Sequence, residues 1–257
     1  MTAIPQGRHR GRSALAGGMC ALAVAGTLLT GCGGDDDPDA GTNGVGKLPP
    51  EKIQAKTLAA AGSVDAVHLA GTVVASGRTY ELDMRLKPDG GTGSVTAQGA
   101  TFRLLRVGDQ LFLMADADFW NSEDGDGGDG KGGSDDAATG EKLGGKYVKV
   151  PEKDPSYQRF STFTDKDVLL DSLLTLHGTL ATDGHHEQSG VRTIRITGDQ
   201  GTGGTLDVSL EGKPYPLRLV RGGNAGTLSF SEWGKDFALK EPAKDETVDY
   251  GQQLPTS

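Results

Sequence analysis

Apolar and polar residues alternate most strictly over residues 80–87, where Tyr80, Leu82, Met84 and Leu86 interleave with Glu81, Asp83, Arg85 and Lys87. A period of two places one set on a buried face and the other in water, as in an antiparallel strand with one solvated side. Val67, Leu69 and Val73 make a similar face upstream, and Ile194/Ile196, Leu206/Val208/Leu210, Leu217/Leu219 and Leu228/Phe230 repeat it in the C-terminal third. Residues 102–106 and 111–114 carry apolar side chains on both faces, which predicts strands covered on both sides. Turn-forming residues fall between these runs at Ser76-Gly77, 88–91, Gln98-Gly99, Gly108-Asp109, 199–204, 212–214 and 222–225. Turns recurring roughly every 8–12 residues are those of a meander, and about nine to eleven strands are expected in all.

Two stretches have the helical period instead. Pro50 and Glu51 suit the first turn of a helix that carries Ile53, Leu58 and Ala61 on one stripe and stops at Gly62. Thr164, Asp165 and Asp167 resemble a capping box before Val168, Leu169, Leu170, Leu173, Leu174 and Leu176. The pairs Leu169/Leu173 and Leu170/Leu174 make a wide apolar face that must lie on something apolar. Phe119-Trp120 reads as a short helical turn, 151–163 as a polar turn, and 237–240 as a possible edge strand. The pattern predicts an α+β domain: a single antiparallel sheet covered by helices.

The 257 residues suffice for one domain of ordinary size. At the N-terminus Arg8, Arg10 and Arg12 precede an apolar run from Ala14 to Leu29, shorter than the ~20 residues a spanning helix needs. The run ends in Leu29-Thr30-Gly31-Cys32, a lipobox, so residues 1–31 are expected to be a lipoprotein signal peptide and Cys32 the lipidated residue. Residues 32–47, with four aspartates among glycines, read as a disordered acidic tether. Residues 48–250 form the domain and 251–257 a loose tail.

Removing residues 1–31, which hold three arginines and no acid, takes the formal charge from −9 to −12. With no stripe of Lys and Arg, nucleic acid is not expected as a partner. Cys20 falls inside the signal peptide. Lipidation of Cys32 would therefore leave the mature chain without a disulfide, a thiol nucleophile or a thiolate metal site.

Within the domain, residues 122–145 are acidic and glycine-rich and read as a disordered insertion. Their Asp124, Asp126 and Asp129 lack the spacing of a calcium loop. His185-His186-Glu187 is expected at a solvated hairpin tip, since adjacent histidines on extended chain point apart. His68 and His177 read as structural. No Gly-x-Ser-x-Gly, Ser-x-x-Lys or His-Glu-x-x-His occurs, and 198–204 opens no helix that would cradle a phosphate. No catalytic residue, metal or cofactor is assigned, and the chain is not expected to be an enzyme.

The order of parts resembles the actinobacterial LppX/LprG lipoprotein group. The stretches that carry it are Leu29–Cys32, Val107-Gly-Asp-Gln-Leu, Phe119-Trp120, Lys213-Pro-Tyr-Pro-Leu and Leu228-Ser-Phe-Ser-Glu-Trp-Gly-Lys, followed by Pro242 and Val248-Asp249. The likeness spans residues 48–250, and the acidic insertion departs from it. It implies a LolA-like half-barrel sheet with helices over its concave face and an apolar cavity holding the acyl chains of a lipid or lipoglycan. The residues that would line such a cavity are Val67, Leu69, Val73, Leu82, Met84, Leu86, Leu104, Leu113, Leu169, Leu173, Leu176, Ile194, Ile196, Leu206, Val208, Leu217, Leu219 and Phe230. The same residues would equally fill a solid core, giving a surface interaction or regulatory lipoprotein with an envelope protein as partner. On either reading the chain is expected at the outer face of the cytoplasmic membrane, held by its lipid.

Acyl chains contribute ~0.8 kcal/mol per buried methylene, and two or more anchor stably. Cys32→Ser is therefore expected to leave the domain folded but released. Persistence of that variant in the membrane fraction after a salt wash would contradict the anchor.

Overall fold

The computed structural model describes residues 37–121, 142–249 and 251. Contacts divide the chain into a compact unit, Pro38–Ser257, and the preceding Met1–Asp37. Leu29, Thr30, Gly31 and Cys32 lie outside the described residues, as do residues 1–36 in general and 122–141 of the acidic insertion.

Twelve strands form one open sheet: β1 Val67–Ala75, β2 Arg78–Lys87, β3 Gly90–Ala97, β4 Ala100–Val107, β5 Gln110–Ala115, β6 Tyr147–Val150, β7 Leu180–Gln188, β8 Val191–Gly198, β9 Thr205–Ser209, β10 Pro216–Val220, β11 Gly226–Ser231 and β12 Thr247–Asp249. Their order is β12-β6-β5-β4-β3-β2-β1-β11-β10-β9-β8-β7. Two meanders therefore meet where β1 pairs with β11, and every pairing is antiparallel except that of β12 with β6. The α+β class holds, with one strand more than the upper expectation.

Register turns the alternation into apolar rows that run across the sheet. One row passes through Ile196, Leu206, Leu219, Leu228, Gly71, Leu82, Val95, Phe102 and Ala115, each opposite the next. A second passes through Phe230, Leu69, Met84, Gly93, Leu104, Leu113 and Val148. Strand β3 contributes Gly91 and Gly93 to this inner face, and the missing side chains have a use. A Cβ on Gly93 would collide with the Asp83 carbonyl oxygen and sit 2.6 Å from Met84 Sδ, and one on Gly91 would sit 2.7 Å from Leu86 Cδ2 and 3.3 Å from the Thr164 carbonyl oxygen. The glycines thus make room for neighbouring core side chains and for the chain entering the leucine helix.

The helices pack on this face. They are α1 Pro50–Gly62, α2 Ala117–Asn121, α3 Pro155–Ser161 and α4 Lys166–Leu174. Ile53 and Ala61 of α1, Phe160 of α3 and Leu169, Leu170, Leu173 and Leu174 of α4 join one apolar cluster with the sheet rows. Asp154 caps α3 by accepting from the Ser156 N–H at 2.8 Å, and Asp165 caps α4 by accepting from the Val168 N–H at 3.0 Å. The polar stretch 151–163 therefore hides a helix that its capped Asp-Pro start announces.

The outer face is covered only in part. Leu105 and Phe112, opposite one another on β4 and β5, are buried there. Residues 235–241, expected as an edge strand at 237–240, instead run irregularly along this side. Lys87 pairs with Asp236 and lies over the Phe237 ring at 5.0 Å, and Gln110 Nε2 donates to Glu241 at 2.6 Å. Further along, Arg195 holds the buried Asp207 carboxylate in a fork, Nε to Oδ1 at 2.7 Å and Nη2 to Oδ2 at 3.1 Å. That bond raises the Arg195 pKa further above its usual value.

Three further expectations are corrected. Residues 38–47 are not a loose tether. The Asn43 N–H donates to the Leu210 carbonyl at 2.8 Å, Asn43 Nδ2 donates to the Ser209 carbonyl at 3.0 Å, and Val45 is buried. Polar turn residues docked through backbone bonds leave no apolar signal. Likewise the end of the insertion is ordered, with Leu143 buried and the Gly145 N–H bonded to the Ala115 carbonyl. Lastly, His185-His186-Glu187 lies inside the edge strand β7, which has a bulge between Thr182 and His185. A polar, bulged edge strand resists pairing with other chains but shows no period-two pattern.

Gly93→Val is expected to cost at least about 1–3 kcal/mol, since its Cβ would collide with the Asp83 carbonyl and crowd Met84, whereas the neighbouring Ser94→Ala should stay within about 0.5 kcal/mol. Urea denaturation of both variants checks the assignment of the inner face, which fails if the two are equally stable.

Candidate functional site

The leucine helix is held at its N-terminal end by two cations, the partly buried Arg106 and the buried Lys166. Arg106 projects from β4 on the inner face, where Nε donates to Thr164 Oγ1 at 3.1 Å and Nη2 to the Thr164 carbonyl at 3.0 Å. Lys166, in the first turn of α4, is 1 % exposed. Its ammonium donates to the Gly62 carbonyl at the C-terminus of α1 at 3.3 Å and meets the carboxylate of Asp167 at 2.7 Å. A cation at a helix C-terminus is favourable, so one side chain ties the start of α4 to the end of α1.

At its other end α4 is held through the backbone that follows it, where the His177 N–H donates to the Gly203 carbonyl at 3.3 Å. The backbone leaves helical geometry at Thr175, and the Leu176 N–H is held by Gln54 Oε1 at 3.1 Å. There a cleft of about 180 Å³ opens, lined by Ser172, Leu173, Thr175, Leu176 and His177 on the helix side. Thr202, Gly203, Leu219, Arg221, Gly222 and Ala225 line it on the sheet side. Its glycines are structural requirements: a Cβ on Gly203 would collide with the His177 carbonyl, and one on Gly222 with the Thr202 carbonyl. The floor is Leu173, Leu176 and Leu219, all buried. The cleft therefore sits at the seam between helix and sheet.

Of the residues expected to line a cavity, Val67, Leu69, Val73, Leu82, Met84, Leu86, Leu104, Leu113, Leu169, Leu173, Leu176, Ile194, Ile196, Leu206, Val208, Leu219 and Phe230 are buried in one continuous cluster. They pack on each other. Leu217 is the exception and is only partly buried. The register of β10 shifts between Pro216 and Arg218, so Pro216 faces Val208 on the inner side and Leu217 is displaced from it. Strict alternation cannot foresee a bulge. Leu143 and Val148 join the buried set without having been expected there, and Leu228 is buried as its strand pattern predicts.

A second groove, of about 320 Å³, lies where Asp109, Lys149, Glu152, Lys153 and Asp249 meet around Val150 and Pro151. Its charges are of both signs, Lys149 and Lys153 against Asp109, Glu152 and Asp249, so it selects no single headgroup charge.

His68 presents a constellation that the sequence does not reveal. Its Nε2 meets Asp83 Oδ1 at 2.8 Å and its Nδ1 meets Ser231 Oγ at 3.2 Å. The connectivity is that of a serine–histidine–aspartate relay. However, it lies across β1, β2 and β11 on the outer face, with Asp83 65 % exposed. Acyl transfer needs N–H donors aimed at a developing oxyanion in a site that excludes water, and a flat solvated strand face offers neither. These side chains form a cross-strand polar ladder. His185 and His186 are engaged separately, by Asp39 at 3.2 Å and by the Asp183 carbonyl at 2.8 Å. Among the described residues no group of three His, Cys, Asp or Glu could hold a metal ion, and no described helix is long and apolar enough to cross a membrane.

No protein-family profile matches the chain, and no curated protein matches it. Among solved structures it is similar to LprF from Mycobacterium bovis, with a TM-score of 0.50 at 14% identity over 76% of this chain and 99% of that one. It also aligns with the Mycobacterium tuberculosis lipoprotein LppX, at a TM-score of 0.41 and 16% identity over 74% of this chain and 99% of that one. An uncharacterized conserved protein from Thermus thermophilus aligns at a TM-score of 0.34 and 12% identity, covering 77% of this chain and 98% of that one. The chain shares the fold of LprF, in agreement with the LppX/LprG resemblance of its sequence.

Lys166→Met keeps the volume but leaves the Gly62 carbonyl without its donor. A loss of about 1–3 kcal/mol is expected, read by chemical denaturation; an unchanged midpoint would remove Lys166 from its role in fastening α4.

Proposed function

We propose that the chain is a lipid-anchored carrier that takes an amphiphile between the sheet and the leucine helix α4. One observation carries the reading: α4 is fastened through Thr164 and Lys166 at one end, while at the other an apolar-floored cleft enters its seam with the sheet. The cleft of about 180 Å³ is below the roughly 300–1,000 Å³ of ligand sites. A chain therefore enters by displacing the C-terminal part of α4, with Arg106 and Lys166 as the hinge. Leu173 and Leu176 exchange contact with Leu219 for contact with the acyl chain, one apolar surface for another, so the displacement costs little hydrophobic free energy. The LprF-like fold and the LppX/LprG resemblance support the same reading, as does the lipobox ending at Cys32, whose lipidation would hold the domain at the outer face of the cytoplasmic membrane.

The tight packing of the inner face favours one competing reading, a solid scaffold whose loops meet an envelope protein. Organic extraction of the mature protein purified from its native membrane, followed by mass spectrometry, separates the two. A carrier yields near-stoichiometric lipid beyond the covalently attached anchor. Absence of such lipid, together with failure to take up an added long-chain amphiphile, would leave the scaffold.

A further inference from the structure

The cleft at the end of α4 has a charge character opposite to that of the chain around it. The protein carries 35 acidic against 26 basic side chains, yet no carboxylate lines this cleft, while Arg221 and His177 both do. Arg221 follows directly on β10, and its backbone N–H is held by the Gly226 carbonyl at 2.9 Å. Its guanidinium makes no hydrogen bond or ion pair among the described residues, and the residue is only half exposed. Arg218 of β10 is likewise without a side-chain partner among the described residues but does not line the cleft, and the remaining arginines of the inner face and of the second meander differ. Arg106 is spent on Thr164, Arg195 on Asp207 and Arg192 on Glu211 and the Ala40 carbonyl.

The hydroxyls of the cleft are also spoken for. Ser172 donates to the Leu169 carbonyl at 2.9 Å, Thr175 to the Asp171 carbonyl at 3.2 Å and Thr202 to the Asp199 carbonyl at 2.9 Å. The available donors are thus the fork of Arg221 and the ring of His177, set beside the apolar floor of Leu173, Leu176 and Leu219. A guanidinium matches phosphate in a bidentate manner, and such charge-assisted bonds gain strength where water is partly excluded.

We infer that the cleft seats the phosphate headgroup of a single amphiphile on Arg221, its acyl chain leading over Leu173, Leu176 and Leu219 into the seam. The inference rests on the carrier reading and adds to it the charge of the ligand and the end of the helix at which it enters. A volume of about 180 Å³ has room for a headgroup but not for two long chains, which fits a mouth and not the whole site.

The test titrates the folded mature domain, calorimetrically, with dihexanoyl phosphatidic acid, with dihexanoyl glycerol of the same chains, and with inorganic phosphate. Wild type is expected to bind the phosphorylated lipid at least about tenfold more tightly than the neutral one, and inorganic phosphate more weakly than either. Arg221→Gln is expected to bring the two lipids to near-equal affinity with an unchanged melting temperature, and Arg221→Lys to restore part of the preference. Equal affinity of wild type for both lipids would overturn the headgroup assignment and leave the carrier standing. A preference that survives Arg221→Gln would overturn the role of this residue. Phosphate binding as tightly as the phosphorylated lipid would reduce the cleft to an ion site. Binding of neither lipid would overturn both this inference and the carrier reading.

Discussion

An open sheet of twelve strands has an apolar face too wide for any single helix, and every other feature of the structure answers that constraint. The rows from Ile196 to Ala115 and from Phe230 to Val148 must be kept from water. Covering a Leu or Ile side chain is worth about 1.5–3 kcal/mol. The cover is assembled from α1, the α3–α4 pair and the short α2, and polar anchors decide where each lies. Arg106 reaches up from the sheet to the start of α4, and Lys166 reaches across from α4 to the end of α1. The glycines of β3 let the entering chain come down close to the sheet. Beyond these anchors, where Gln54 holds the Leu176 N–H, the cleft opens between helix and sheet.

The same economy governs the rims. The edge strand β7 is polar and bulged, and at its far end Asp39 and the carbonyls of Ala40 and Gly41 engage His185 and Arg192. At the opposite edge β12 adds to β6 in parallel, after residues 235–241 have crossed the outer face. The two edges are protected by chain that carries little apolar signature. That explains how so much of the surface of this fold is built from segments resembling linkers.

Much of the fold was legible because one face is buried. Strands β1, β2, β4, β5, β8, β9 and β11 follow the period of two or the continuous apolar runs, and α4 follows the helical period from its Asp165 cap. What escaped shares a physical cause. Residues 38–47, β7 and β12 are held by backbone hydrogen bonds and ion pairs, which ask nothing of side-chain hydrophobicity. Leu217 was misplaced because a bulge at Pro216 resets the alternation. The buried Lys166 and inward-facing Arg106 were invisible since charged residues on a strand or helix read as solvated unless their partners are known. The cleft too depends on distant residues, Leu173, Arg221 and Thr202, that only folding brings together.

On the proposed reading α4 yields at its C-terminal end while its N-terminal end stays fixed, and an amphiphile uses this opening. Hydrogen–deuterium exchange along α4, with and without a long-chain phosphorylated lipid, reads it directly. The expected result is faster exchange toward Leu174 and Leu176 than at Leu169 and Leu170 in the free domain, with protection of the distal half on adding lipid. Uniform exchange along α4 at the rate of global unfolding, unchanged by lipid, would contradict the claim.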